Sequence, residues 1–564
     1  MNVQGVQVSA GSYSARILAA LDELQSAGVL RRIWERDHTV WRSDPTEITN
    51  RLGWLNVASE MTGNIGEIED FVREVRAEGF THALLLGMGG SSLAPEVFRK
   101  TFGVAAGMLD LAVLDSTDPA AVLSCAEGFN LDRTLFIVST KSGGTVETFS
   151  FFKYFYNRLL ERHSAEEVGR HFVAITDPGS GLLDTATRYR FRKVFLNNPD
   201  IGGRYSALSC FGLAPAGMVG IDLKRLLDRA QAQMALCGPA VPATENPAAV
   251  LGVVMGEMAK AGRDKVTLVS SPSLVSFGAW VEQLVAESTG KEGKGIVPVV
   301  GEAPAAPAVY GADRLFVYLK LGDDATYDKG VDALERAGHP VVRMHLEDPF
   351  DLGGQFFLWE LATAVTGHCL EIQPFDQPDV ESAKVLARQM VAAYREKGAL
   401  PVQNAALVDH DVAVYGKVSA ETLSQAVVSF LSGARTGDYI AIQAYVPPTP
   451  DVNAVLSALR LSLLERSRLA VTLGYGPRFL HSTGQLHKGD AGNSFFIQIT
   501  AEHPRDIPVP DEAGAAASSM TFGVLIDSQA LGDAQALQDN QRRVLRLHLL
   551  GDVITGITQI VQSI

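Results

Sequence analysis

Four short segments carry side chains whose types and spacing can do chemistry. Thr140-Lys141-Ser142-Gly143-Gly144-Thr145 gathers three hydroxyls, an ammonium and two glycines between an apolar run at 134–139 and a helical pattern opening at Val146. A phosphate needs several short hydrogen bonds and a positive potential, and hydroxyls at a helix N-terminus supply both. The spacing is not that of the nucleotide P-loop, which ends in Gly-Lys-Ser/Thr. A simple capped turn, with Thr145 as the cap and Glu147 in the first helical turn, needs one hydroxyl where this loop offers three. Gly87-Met88-Gly89-Gly90-Ser91-Ser92 is a second strand-to-helix loop, whose glycines admit a ligand close to the backbone. It also mimics part of a dinucleotide fingerprint, with Asp115 ending the next strand as a ribose ligand, so a nicotinamide-dependent oxidoreductase is one alternative.

The third segment, Gly202-Gly203-Arg204-Tyr205-Ser206, puts a permanently charged guanidinium behind two glycines, where it either meets a ligand or forms a surface ion pair. The fourth is Glu282-Gln283-Leu284-Val285-Ala286-Glu287-Ser288-Thr289-Gly290-Lys291. Phe277, Trp280, Leu284 and Val285 suit a helix that Gly290 ends, so Glu287 falls in its last turn. There the negative end of the helix dipole should raise its pKa from about 4.3, towards what a general base near neutral pH needs.

These loops must be positioned by alternating strands and helices. Unbroken apolar runs at 81–87, 111–115, 134–139 and 171–176 read as strands buried on both faces, with helical patterns at 92–102, 118–127 and 146–162 between them. A second set follows: helix 247–262, strand 265–270, helix 274–289, strand 313–319, helix 326–337, strand 340–345, then helices 356–367 and 379–396. The same architecture is used twice. Residues 12–35 read as one helix before it. After it come strands at 438–446, 468–473 and 494–500, a Pro/Ala/Ser-rich loop at 503–519 and a final helix near 534–549. The predicted fold is α/β, with an N-terminal helical segment (1–60), two α/β/α sandwich domains with parallel sheets (61–245 and 246–400), and a C-terminal α/β region (401–564).

Composition narrows the partners. A chain of 564 residues exceeds one hydrophobic core, and 49 basic against 64 acidic side chains give a formal charge of −15. That field, without a basic cluster, argues against nucleic acid and anionic membranes, and an anionic ligand must be captured locally. Four scattered cysteines without metal spacing, and no secretory signal or bilayer-length apolar run, point to the cytoplasm.

Together and in this order, GMGGSSL, TKSGGTVET, GGRYSALS and EQLVAESTGK resemble the phosphoglucose isomerase family, whose fold is two sugar-isomerase (SIS) domains, over roughly residues 50–400. NRLGWL, DPFDLGGQFF, PFDQPDV and FLHSTGQLHKGD are similar to the isomerase half of bifunctional transaldolase/phosphoglucose isomerases. With no transaldolase segment in the sequence, the resemblance implies isomerase activity alone. It implies a small sugar-phosphate substrate, a homodimer and no metal or organic cofactor. Ser91, Thr140, Lys141, Ser142 and Thr145 would hold the phosphate, and Gly90, Gly203 and Gln283 would line the sugar site. Arg204 would stabilise an enediol-like intermediate while Glu287 moves a proton between C1 and C2. One departure stands out: Phe356 occupies the place of the histidine that helps open the sugar ring in the family. Lys488 is the preferred replacement, as the family's C-terminal lysine, with His487 or His481 as the alternative. A non-catalytic sugar-phosphate sensor and an isomerase of another phosphosugar, such as mannose 6-phosphate, are the remaining alternatives.

Overall fold

The computed structural model describes residues 1–401 and 403–564. Three sheets organise it, and their parallel strands follow one order. In the first, Asp110–Leu114, His82–Gly87, Thr134–Ser139, Phe172–Thr176 and Lys193–Leu196 lie side by side, all parallel. The second runs Val297–Val299, Lys265–Ser270, Arg314–Leu321, Val341–Leu346, and the third Ala470–Tyr475, Tyr439–Tyr445, Ser494–Ala501, Arg543–Leu549. Each sheet therefore begins second strand, first, third, fourth. This is a doubly wound arrangement, whose ligand crevice opens where the order reverses, outside the carboxyl ends of the first and third strands.

The C-terminal region is thus a third copy of the architecture. Its last elements are helix Phe522–Asp539, strand Arg543–Leu549 and helix Val553–Ser563. The helix expected near 534–549 is replaced in its second half by that strand. Leu545, Leu547 and Leu549 are buried and alternate with Arg546 and His548 there, and the strand pairs in parallel with Ser494–Ala501. The start of the chain differs as well. Asn2–Val3 and Val6–Ser9 form a hairpin whose second strand pairs antiparallel with Val341–Leu346. Val6 and Val8 are buried while Gln7 is exposed, a period of two that a helix cannot satisfy. The helix read over 12–35 is two, Ser14–Ser26 and Val29–Trp34, separated at Gly28, whose φ is +62°.

A helical layer of Leu223–Leu236, Pro247–Lys260 and Leu352–Cys369 packs between the first and second sheets, and one continuous apolar core joins them. A second core joins the second and third sheets through Phe316, Tyr318, Ile440 and Ile442. All three units are anchored to each other, which lets loops from all three meet.

Candidate active site

At the carboxyl ends of the first sheet, the two glycine-rich loops lie where the strand order reverses. Thr140 is buried, and its hydroxyl is 2.9 Å from that of Thr145. Thr145 precedes helix Val146–Leu160 but makes no capping bond to it. The free N–H groups of that helix end therefore remain available to an anion, with the Thr145 hydroxyl turned to Thr140 and Ser142 accepting from the Gly144 N–H at 3.3 Å. Ser91 lies in the neighbouring loop, where its carbonyl accepts from Ser139 at 3.0 Å. Gly90 packs so tightly on Gly203 that a Cβ there would lie 2.0 Å from the Gly203 carbonyl oxygen, which seats the Arg204 turn directly on the glycine loop.

Arg204 is buried and heavily bound. Its guanidinium donates to Ser288 at 2.7 Å, Gln377 at 2.9 Å and the carbonyls of Pro374 at 2.7 Å and Asp376 at 3.0 Å. This fixes Nη1 at 3.4 Å from a carboxylate oxygen of Glu287. The other Glu287 oxygen accepts from Gln283 at 3.1 Å, one helical turn earlier on Val275–Thr289. A base and a permanent cation are thus held side by side. Lys291 just beyond is buried against Asp376, and burial with Arg204 nearby brings its pKa down to about 8.

The same Gln283 amide donates to the backbone carbonyl of His481 at 2.8 Å. His481 belongs to the third unit, in the turn Arg478–His481 that follows strand Ala470–Tyr475. Its Nε2 is 3.0 Å from Glu147, in the first turn of the helix behind the phosphate loop, and Gln529 donates to the same oxygen at 2.7 Å. Burial raises the Glu147 pKa, but His481 outweighs it and the carboxyl ends below its ordinary value, with Lys384 adding to the effect. A charged Glu147 therefore holds the imidazole through its Nε2. Phosphate loop, Glu147, His481, Gln283, Glu287 and Arg204 form one connected series drawn from three units.

The family model described as "Phosphoglucose isomerase" matches residues 45–312. A probable glucose-6-phosphate isomerase of Methanococcus maripaludis is 27% identical over 383 residues, covering 61% of this chain and 85% of its own length. A glucose-6-phosphate isomerase of Thermus thermophilus is 29% identical, covering 60% of this chain and 90% of its own. Over these stretches the chain is similar to phosphoglucose isomerases. In structure, a glucose-6-phosphate isomerase from Chlamydia trachomatis superposes with a TM-score of 0.52 at 20% identity, covering 69% of this chain and 86% of that one, a likeness of fold. The family model stops at 312, so His481 and the whole third unit lie beyond it.

Several residues expected in the site fall elsewhere. Lys488 is buried in an ion pair with Asp533 at 2.6 Å, both side chains closed off from solvent, and does not reach the cluster. His487 is packed between Phe479 and Phe496, and burial drives its pKa well below the ordinary histidine value, so it stays a neutral core residue. Both sit on the short helix Gly484–Gly489, whose packing against Gly290 turns them inward. Lys141 points its ammonium out of the phosphate loop, to the Asp177 carboxylate and the Pro199 carbonyl. Phe356 is fully buried among Phe98, Phe277 and Trp280, with ring centroids 5.3, 5.4 and 4.7 Å away. A histidine there would face only aromatic rings. Asp115, which a dinucleotide site needs free, is ion-paired with Arg478 at 3.0 Å. Sequence reasoning missed Glu147 as a partner for His481. Its one signal was a buried-type position directly after a loop rich in hydroxyls. Two open crevices, about 430 and 550 Å³, lie away from the cluster, one beside Lys260, Asp264 and Lys294 and the other beside Asp118, His503 and Arg505.

Proposed function

We infer that the chain interconverts glucose 6-phosphate and fructose 6-phosphate through an enediol. The observation that carries this reading is the Glu287 carboxylate fixed between Gln283 and Arg204, in series with a phosphate-type loop. Thr140, Ser142, Thr145 and Ser91, with the open helix end at Val146, receive the phosphate. Glu287 takes a proton from one carbon and returns it to the next, while the Arg204 charge offsets the negative oxygen that develops beside it. Ring opening falls to His481. It gives a proton to the ring oxygen as the C1–O5 bond breaks, the anomeric hydroxyl releases its proton to water, and Glu147 steadies the imidazole.

Gly90, Gly203 and Gln283 shape the sugar site in this reading. The four cysteines are all unpaired, which suits a reducing compartment, and among the described residues no helix is long and apolar enough to cross a membrane. A cytoplasmic location and a homodimer are part of the proposal, the latter checked by light scattering. A coupled assay with glucose 6-phosphate and mannose 6-phosphate tests the main claim. Turnover of the first, lost in Glu287→Gln while phosphate-ester binding persists, is expected; an active Glu287→Gln would remove the mechanism.

A further inference from the structure

His481 reaches the site from a unit that the family match does not cover, so something must hold it there. Three residues earlier in the same turn, Arg478 enters a nest of carboxylates on the other two units. Its guanidinium is ion-paired with Glu96, on helix Leu93–Phe102 of the first unit, and with Asp115 at 3.0 Å, just after strand Asp110–Leu114. Glu282, on the second unit's helix Val275–Thr289, faces the same cation and also bonds Ser482. Lys100 is the other cation of the nest, 2.6 Å from Glu96. Burial alone would push Glu96 up, yet Arg478 and Lys100 hold it at about 2. Asp115, with burial dominant, is raised. Among the described residues Arg478 is the cation in ion-pair contact with Asp115, with Lys100 and His481 further away, and without it that carboxylate would lose its direct partner in a buried site.

The turn has little room to move in this position. A Cβ on Gly89 would lie 2.8 Å from the His481 carbonyl oxygen and 2.9 Å from the Gln283 amide nitrogen, so the turn rests on the glycine loop itself. Phe479, between Arg478 and His481, is buried against Tyr445 of its own unit. One end of the turn is therefore rooted in the third unit, and its polar contacts reach across to the other two.

We propose that Arg478 is a positioning residue for ring opening: by docking between Glu96 and Asp115 it fixes the turn so that His481 meets Glu147. This rests on the isomerase reading given above. Proton transfer between C1 and C2 uses Glu287 and Arg204, which Arg478 does not touch, so the two stages should separate.

Erythrose 4-phosphate separates them chemically, because its terminal hydroxyl is esterified and it cannot close a five- or six-membered ring. Arg478→Gln should lower kcat for fructose 6-phosphate by about 30-fold, within the range for losing a placed acid–base group, with KM changed less than about 3-fold. Turnover of erythrose 4-phosphate should fall by less than about 3-fold. Placing Arg478→Gln on His481→Asn should add little further loss, since the two act as one unit. Arg478→Lys, which cannot bridge two carboxylates as a planar fork, should recover part of the rate. Should Arg478→Gln fail to fold, Asp115→Asn weakens the same dock and should show a smaller loss with the same substrate selectivity. Equal losses on both sugars, no loss on either, or fully additive losses in the double variant would overturn the proposal. A wild-type chain inactive on both sugars would overturn the isomerase reading, and this inference with it.

Discussion

The second and third units share a plan down to an unusual detail. Each has four parallel strands in the same order, and each is extended beyond its fourth strand by an antiparallel hairpin, from 2–9 in one and from 407–415 in the other. Their chemistry comes from different connections. The second unit places Gln283 and Glu287 on the helix after its first strand; the third leaves that helix, Pro450–Ser467, without a role in the site and offers the turn after its second strand. A repeated fold supplies rigid positions, and the loop that happens to face a neighbour decides what each copy does.

That contrast can be broken or sharpened by experiment. Glu287→Gln removes the proposed base for every substrate form, so turnover of both cyclic and acyclic sugar phosphates should fall by about 10³-fold or more in steady-state assays. An equal sensitivity to His481 changes would erase the distinction between the units. Lys488→Met leaves Asp533 buried without its cation, and should lower the unfolding free energy by about 3 kcal/mol in denaturant melts. Folded molecules of that variant should keep their kcat, because Lys488 faces the third unit's interior. His481→Asn should cost about 10²-fold on cyclic substrates and much less on erythrose 4-phosphate, measured side by side.

The smallest effect concerns the seam between the units. Burial, only partly offset by Arg478, raises the Glu282 pKa to about 7 from 4.5. Below both values the carboxyl is protonated whether the chain is folded or not. As pH rises from about 4.5 to 7 the unfolded chain releases this proton first, so stability falls across that window and levels off above it. Glu282→Gln should flatten this descent by about 2 kcal/mol in melts compared at pH 5 and pH 8. A variant with the wild-type slope would place Glu282 outside the seam's electrostatics.

Local features were readable from the sequence, and docked ones were not. Four of the first unit's five strands, its two loops and the helix carrying Glu287 follow from apolar runs, glycines and hydroxyls that act within a few residues, whereas strand Lys193–Leu196 does not. Strand Val297–Val299 and the hairpin at 407–415 are too short to stand out by pattern. His481 could be named only as one of several polar residues in FLHSTGQLHKGD, because its selection over His487 and Lys488 depends on which face of that segment lands on Gly89 and Gly290. Lys141 misled for a related reason: its type suits a phosphate, and only Asp177, brought near by the next strand, turns it away.

The pairing of Val6–Ser9 with Val341–Leu346 also sets a schedule. The two partners are separated by more than three hundred residues of synthesis, between about 15 and 70 s at ordinary elongation rates. The first sheet, whose strands all lie between His82 and Leu196, can assemble well before then. Throughout that interval Val6–Ser9 lacks the strand it pairs with in the finished fold and presents an open edge to other chains.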